Sequence, residues 1–253
     1  MIGSLRLGNL EETALIYVTG DTHGEICRFH SPEMRKVKRG DTLIVCGDFG
    51  FIWDGGKKEE KILKKLGSQR YSLLFLDGTH ENFDLLSRYP VEDWCGGKAQ
   101  HICGGLYHLL RGQVYEIEGK KIFTFGGGES PEKQLRMEAK TWWDSEMPTL
   151  DEMHAGVENL KAAGMQVDYI FSHEPPPRVD LILAPGTHRE NKNQLEAFFG
   201  QIAKKVRYRR WFFGSTHVDR RIAYKNVSVF SLVVPVEDLP AKRRHLLKQW
   251  IRD

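Results

Sequence analysis

Five short apolar runs, each stopping at a polar cluster, constrain this chain more than any other feature. Residues 14–19 (ALIYVT) run into Gly20-Asp21-Thr22-His23-Gly24. Residues 42–46 (TLIVC) run into Gly47-Asp48-Phe49-Gly50, and residues 71–76 (YSLLFL) into Asp77-Gly78-Thr79-His80-Glu81-Asn82. Residues 168–172 (DYIFS) precede His173, and residues 210–213 (RWFF) precede Gly214-Ser215-Thr216-His217. Runs of this length, bounded by Gly and Asp, read as buried strands. Loops behind strand ends are where α/β proteins gather functional groups.

Helical patterns lie between the strands. Residues 57–66 carry Ile62, Leu63 and Leu66 on one side of a charged helix. Thr149-Leu150-Asp151-Glu152 is a capping-box pattern, and the helix behind it sets Leu150, Met153, Val157 and Leu160 on one face and stops at Gly164. Residues 102–110, 113–117 and 121–125 read as strands, with a hairpin turn over 118–120. Residues 126–148, containing Trp142 and Trp143, read as a loop whose tryptophans close a core edge. A last strand is expected over 226–234 and a terminal helix over 239–251. Alternation, then strands, then alternation again predicts one α/β domain over residues 1–253, with two sheets packed between helices.

Composition narrows the class. At 253 residues the chain needs no disulfide support for its core. The aromatic content of 11% and net charge of +3 do not match disorder. No apolar run approaches the roughly 18 residues that span a bilayer, and the first residues lack the apolar stretch of a signal peptide. Cys27, Cys46, Cys95 and Cys103 form no CxxC pair, which fits a reduced, cytoplasmic protein; Cys27 and Cys46 read as small core hydrophobes. The basic run from Lys204 to Arg210 reads as a solvated helix end and loop in preference to a nucleic-acid patch.

The polar clusters supply Asp21, His23, Asp48, His80, His173 and His217. Carboxylates mixed with imidazoles suit a divalent transition metal, and Asp21 and His23, two apart, point the same way if strand geometry persists. Each cluster alone is weak, since Asp behind a strand commonly caps a turn. Five in order are far harder to reach by chance.

The order GDTHG, GDFG, DGTHE, SH, GSTH resembles the calcineurin-like metallophosphoesterases, whose pattern is D-x-H, G-D, G-N-H-D/E, H and G-H-x-H. The resemblance covers residues 21–217. It implies a four-layer α/β/β/α sandwich of two mixed sheets flanked by helices. It also implies a two-metal centre hydrolysing a phosphomonoester or phosphodiester by attack of metal-bound hydroxide. Carried over, Asp21, His23 and His217 hold the first metal, Asp48 bridges both, and His173 holds the second. His80 is the non-ligand histidine that serves the leaving oxygen. The metals expected are Mn, Fe or Zn, since mixed shells discriminate weakly between them.

Two positions depart from the pattern. Thr79 stands where the family has Asn, and Ser215 where it has the first His of G-H-x-H. Both belong to the second metal, so one firm site and one weak site are expected. The rival reading is an impaired member of the fold kept as a binding or scaffold module; a nuclease or nucleotide phosphodiesterase using Lys204–Arg210 is weaker still. Arg111, Arg178, Arg189 and Arg220 are the candidates to grip phosphate. His30, His101, His108, His154, His188 and His245 read as surface or packing histidines.

Overall fold

A computed structural model describes residues 14–177, 179–183, 193–223 and 225–237. The first sheet holds β1 (Ile16–Thr19), β2 (Thr42–Val45), β3 (Ser72–Phe75), β4 (Val91–Trp94), β5 (Gly97–Cys103), β6 (Leu106–Leu109) and β13 (Val234–Pro235), in the order β13-β1-β2-β3-β6-β5-β4. The second holds β7 (Gln113–Ile117), β8 (Lys120–Phe125), β9 (Tyr169–Ser172), β10 (Arg210–Phe213), β11 (Arg220–Ile222) and β12 (Asn226–Ser228), in the order β11-β12-β10-β9-β8-β7. In the first sheet β1, β2, β3 and β6 run parallel. In the second, β8, β9, β10 and β12 do. Antiparallel strands complete both, so each sheet is mixed.

Period-two alternation decides the layers. Ile16, Val18, Ile44, Cys46, Leu74 and Leu76 face inward and meet Tyr115, Ile122, Phe171, Phe212 and Val227 of the other sheet. Their neighbours Tyr17, Leu43, Val45, Leu73 and Phe75 face outward, onto Leu63 and Leu66 of α1 (Lys57–Gly67). On the far side, Phe123, Phe125, Ile170, Trp211 and Phe213 pack against α4 (Leu150–Ala162) and α6 (Gln194–Lys205) through Met153, Leu160, Leu195, Phe199 and Ile202. Strands apolar on both faces are what a sheet covered on both sides requires. The result is the expected helix–sheet–sheet–helix stack.

Several local expectations are corrected. The stretch 102–110 is a hairpin, because Gly104, at φ +54°, turns the chain between β5 and β6. The stretch 226–234 splits into β12 and β13, which join different sheets. The 126–148 loop holds a short helix, α3 (Lys133–Glu138), and a 3-10 turn, Asp144–Glu146. Chain order before it includes α2 (Phe83–Leu86), and α5 (Val179–Leu183) precedes α6. The Thr149–Glu152 capping box forms, but Leu150 is exposed and Gly156 takes the buried place on α4. Cys27 is exposed and only Cys46 is buried. In the basic run, Lys204 and Lys205 end α6 in solvent. Arg209 reaches Asp168 and Arg210 donates to the Val236 carbonyl, so that end of the run is tied to the fold. The expected terminal helix, Arg178, Arg189, His188 and His245 lie outside the described residues. Among those described, no helix is long and apolar enough to cross a membrane.

Candidate metal centre

The parallel strands deliver their polar clusters to one corner between the sheets. β1 supplies Asp21 and His23, β2 Asp48, and β3 Thr79 and His80; β9 supplies His173, and β10 Ser215 and His217. Glycines let the loops approach. A Cβ on Gly47 would stand 2.1 Å from His173 Nδ1, and one on Gly78 would stand 2.1 Å from Asp48 Oδ1. A Cβ on Gly214 would meet Asp21 Oδ1 at 2.4 Å. His23, Asp48, Ser215 and His217 all have φ between +45° and +54°. Non-glycine residues in that region mark turns that the surrounding structure enforces, and they concentrate at functional sites.

Asp21, His23 and His217 each aim one ligand atom into a space where these atoms lie within 4.8 Å of one another. The His23 and His217 Nε2 atoms are 3.2 Å apart, and His217 Nε2 is 3.3 Å from Asp21 Oδ2. Asp21 is fully buried and its Oδ2 has no hydrogen-bond partner. Two facing ring nitrogens beside an orphaned carboxylate oxygen form a donor set for a divalent cation. Burial lowers the His23 pKa against the pull of Asp48 and Asp21, while the Asp21 carboxylate beside it raises that of His217. Phe230 packs on the His217 ring at 4.9 Å, and Asp219 secures that loop by accepting from Phe230, Ser231 and Leu232 backbone N–H groups.

Asp48 is held from several sides. The backbone N–H groups of Thr79 and His80 donate to Oδ1 at 2.6 and 2.8 Å, and His80 Nδ1 stands 2.8 Å from Oδ2. Burial alone would raise its pKa, yet the His173 and His80 rings hold it well below the usual carboxylate range. His173 Nε2 lies 3.6 Å from Asp48 Oδ1, and its Nδ1 donates to the Cys46 carbonyl at 3.1 Å. For His173 burial opposes the charge, but Asp48 and Asp21 outweigh it and lift the pKa to about 9. His23, Asp48 and His80 make a second group whose ligand atoms lie within 4.8 Å. The Thr79 hydroxyl is turned to His80 Nδ1 at 3.1 Å. Ser215 enters through its backbone N–H, 3.3 Å from Asp21 Oδ1.

Three supporting residues escape sequence reasoning. Asn82 caps α2, accepting from Leu85 N–H at 3.1 Å. Glu81 is buried and accepts from the Phe49 and Gly50 N–H groups at 2.7 and 3.2 Å, fixing the turn behind Asp48. Arg111 is not a phosphate-gripping residue. It is buried on Asp77, with Nε donating to Oδ2 at 2.8 Å, and also reaches the Ser145 carbonyl. His108 is a packing histidine, buried against Phe75, and contacts Asp77 Oδ1 at 3.1 Å, which makes Asp77 the third. Arg220 is exposed on β11. Trp142 and Trp143 are half-buried and join none of the apolar cores.

The family model described as calcineurin-like phosphoesterase matches residues 14–230. The chain belongs to that family. Its reaction class is therefore metal-dependent hydrolysis of phosphate esters. Among solved structures, the phosphopantetheinyl hydrolase of Mycobacterium tuberculosis aligns at 15% identity over 90% of this chain and 97% of that one, with a TM-score of 0.41. No curated protein sequence matches this chain significantly. The donors fit the divalent cations of the family: the buried Asp21 Oδ2 makes no well-aligned hydrogen bond, and the imidazole nitrogens beside it are of the type such cations take.

Proposed function

We propose that this protein hydrolyses a phosphate ester at the corner between the sheets, over one firm cation site and one weakened site. The observation that supports it most is the buried, orphaned Asp21 Oδ2 facing His23 and His217. Asp21, His23 and His217 would hold the first cation, Asp48 would face both, and His173 would serve the second. When bound, Mn, Fe or Zn ions supply Lewis acidity at the phosphoryl oxygens and lower the pKa of water.

The remaining work falls to the chain. The Cys46 carbonyl fixes the His173 tautomer, leaving Nε2 toward Asp48. The Thr79 and His80 N–H groups hold Asp48 in place. With His80 Nδ1 committed to Asp48, Nε2 is the nitrogen left to move a proton. As the imidazolium, His80 gives the Nε2 proton to the leaving oxygen as the P–O bond to the alcohol breaks, while the oxygen of water forms the new P–O bond and the proton that water loses passes to solvent, from which His80 is recharged. The Thr79 hydroxyl is occupied with His80 and Ser215 is short, which leaves Asp48 and His173 as the second site's protein ligands.

Elemental analysis of protein purified without chelators, together with turnover of an aryl phosphate, tests the reading. One retained equivalent, a second only at raised free metal, and turnover that follows metal content are expected. His80→Ala should slow turnover about 10²–10⁴-fold with metal content unchanged. Bound metal with no turnover of any ester would leave a binding module, and no bound metal would end the reading.

A further inference from the structure

The loop behind Asp21 and His23 turns back on itself and brings Arg28 against the backbone of Asp21. Arg28 sits on a 3-10 turn, Ile26–His30, and is half-buried. Its guanidinium binds neutral oxygens. Nη1 donates to the Asp21 carbonyl at 3.4 Å. Nη2 reaches the Gly20 carbonyl at 3.2 Å, the Thr19 hydroxyl at 3.3 Å and the Phe230 carbonyl. Among the described residues no carboxylate pairs with it, so a fork whose shape suits a carboxylate is laid across backbone instead. A fixed positive charge at this corner also opposes the cation that the corner collects. Charge alone therefore acts against the site, and what Arg28 supplies is geometry.

Phe230 links this fork to His217. Arg28 Cζ lies over the Phe230 ring, 5.2 Å from its centroid, and the same ring packs on His217 at 4.9 Å. The Phe230 carbonyl also accepts from Gly20 N–H at 3.1 Å and from Thr19 Oγ1 at 3.0 Å. The end of β1, which delivers Asp21, is thus fastened to the segment that supports His217, although Arg28 and Phe230 are 202 positions apart in the chain. His217 needs that support. Its side chain is 52% exposed, against 0% for Asp21. Among the described residues no hydrogen bond holds its Nδ1, since both of its close polar contacts use Nε2. Metal-binding histidines usually have the second nitrogen held by a neighbour, which sets the orientation of the ring. Here the contact with Phe230 takes that place.

We propose that Arg28 is a positioning residue of the first cation site: it clamps the backbone at Asp21 to Phe230, and through the Phe230 ring it fixes His217, so that both ligands are aligned before a cation arrives. This rests on the assignment of Asp21, His23 and His217 to that cation. A lysine keeps the charge, but it is a point donor and cannot span several carbonyls as the guanidinium fork does. Charge and positioning predict opposite signs. Neutralising Arg28 removes a repulsion, so by charge alone the cation binds more tightly. By positioning it binds less tightly, because Asp21 and His217 lose their common clamp.

Calorimetric titration of chelated protein with Mn²⁺ measures the first equivalent bound. Arg28→Met, neutral with a similar stem, should raise its Kd about 10–100-fold, the range typical of losing a residue that orients a ligand. Arg28→Lys should weaken binding to a similar degree despite its charge. Phe230→Leu keeps the backbone clamp and removes the ring beside His217. It should weaken binding too, and less than additively with Arg28→Met. At saturating Co²⁺ the visible spectrum of the bound ion should change in all three variants, because it follows ligand geometry. A tighter Kd in Arg28→Met would show that charge governs and overturn the proposal. A lower melting temperature with Kd and spectrum unchanged would make Arg28 a plain structural tie, and wild-type binding in Arg28→Lys would remove the role of the fork. In either case weakened binding by Asp21→Asn leaves the site assignment standing. Undiminished binding by Asp21→Asn would end that assignment, and this proposal with it. If Arg28→Met fails to fold, Arg28→Lys and Phe230→Leu carry the same test.

Discussion

Asp21 and Asp77 leave strands on either side of β2, both are buried, and they are treated in opposite ways. Asp77 is saturated: Arg111 grips one oxygen through Nε and Nη2, and His108 takes the other. Asp21 has one oxygen on the Ser215 N–H, while the other makes no well-aligned hydrogen bond and faces only the His217 ring nitrogen, 3.3 Å away. A buried carboxylate is costly until it is paired. A partner from within makes Asp77 a structural pin between β3, the crossover at Arg111 and the 3-10 turn at Ser145. The Asp21 carboxylate faces no arginine, only imidazole nitrogens that are themselves metal-ligand types, and that is what separates a tie in the fold from a candidate cation site.

Removing Arg111 should break the comparison hardest. Arg111→Met leaves Asp77 charged and buried, and urea unfolding of chelated protein should show a loss of about 3–5 kcal/mol. A loss below about 1 kcal/mol would mean Asp77 is not held by that pair. Asp21→Asn should do the reverse. Without metal its melting point should stay level or rise, because a buried charge with no arginine or lysine paired to it is gone. Its metal affinity should fall at least about 100-fold by calorimetry, beyond the range typical of losing an outer-shell partner. Equal destabilisation by both substitutions would erase the distinction.

Glu146 lies between the extremes, buried with Oε1 2.7 Å from Arg136 Nη2 as its one cationic partner. Burial outweighs Arg136 and raises its pKa to about 7. The folded state therefore holds a proton that the unfolded chain releases near pH 4.5. Stability of chelated protein should fall as pH rises from about 4.5 to about 7 and then level off, by about 3 kcal/mol over that window. Comparing the pH profile of Glu146→Gln with the parent isolates this contribution, and an unchanged slope would count against it. The smallest effect is expected from rebuilding the second site. Thr79→Asn with Ser215→His should bind a second equivalent of metal and speed aryl phosphate turnover about tenfold, or about 1.4 kcal/mol. The gain should be non-additive, since both new ligands serve one ion. The left-handed backbone at position 215 tolerates His. A parent that already holds two ions tightly would remove the premise.

What the sequence revealed and what it hid follow from how local each signal is. The strands that carry Asp21, Asp48, Thr79 and His217 are short apolar runs with glycine behind them, and the one that carries His173 runs into a proline stretch; that pattern is written in consecutive residues. Their convergence was legible only because the order of the clusters matches a family. The roles of Glu81, Asp77 and Arg111 were hidden because each acts on a partner more than 30 positions away. Arg111 looks like any other arginine near a loop until Asp77 is seen beneath it. Cys27 misled for the same reason: apolar sequence neighbours on a 3-10 turn do not share a buried face.

The 194 positions between His23 and His217 carry a consequence in time. No single segment of the nascent or refolding chain contains the first cation's three donors. Closing so long a separation costs entropy that only the docked sheets repay. A cation therefore cannot seed the fold as it does in small zinc domains; it arrives at a corner that the finished core has already made. In a refolding experiment, burial of Trp211 should come first and metal capture last, with a folding rate indifferent to metal and an unfolding rate that metal slows.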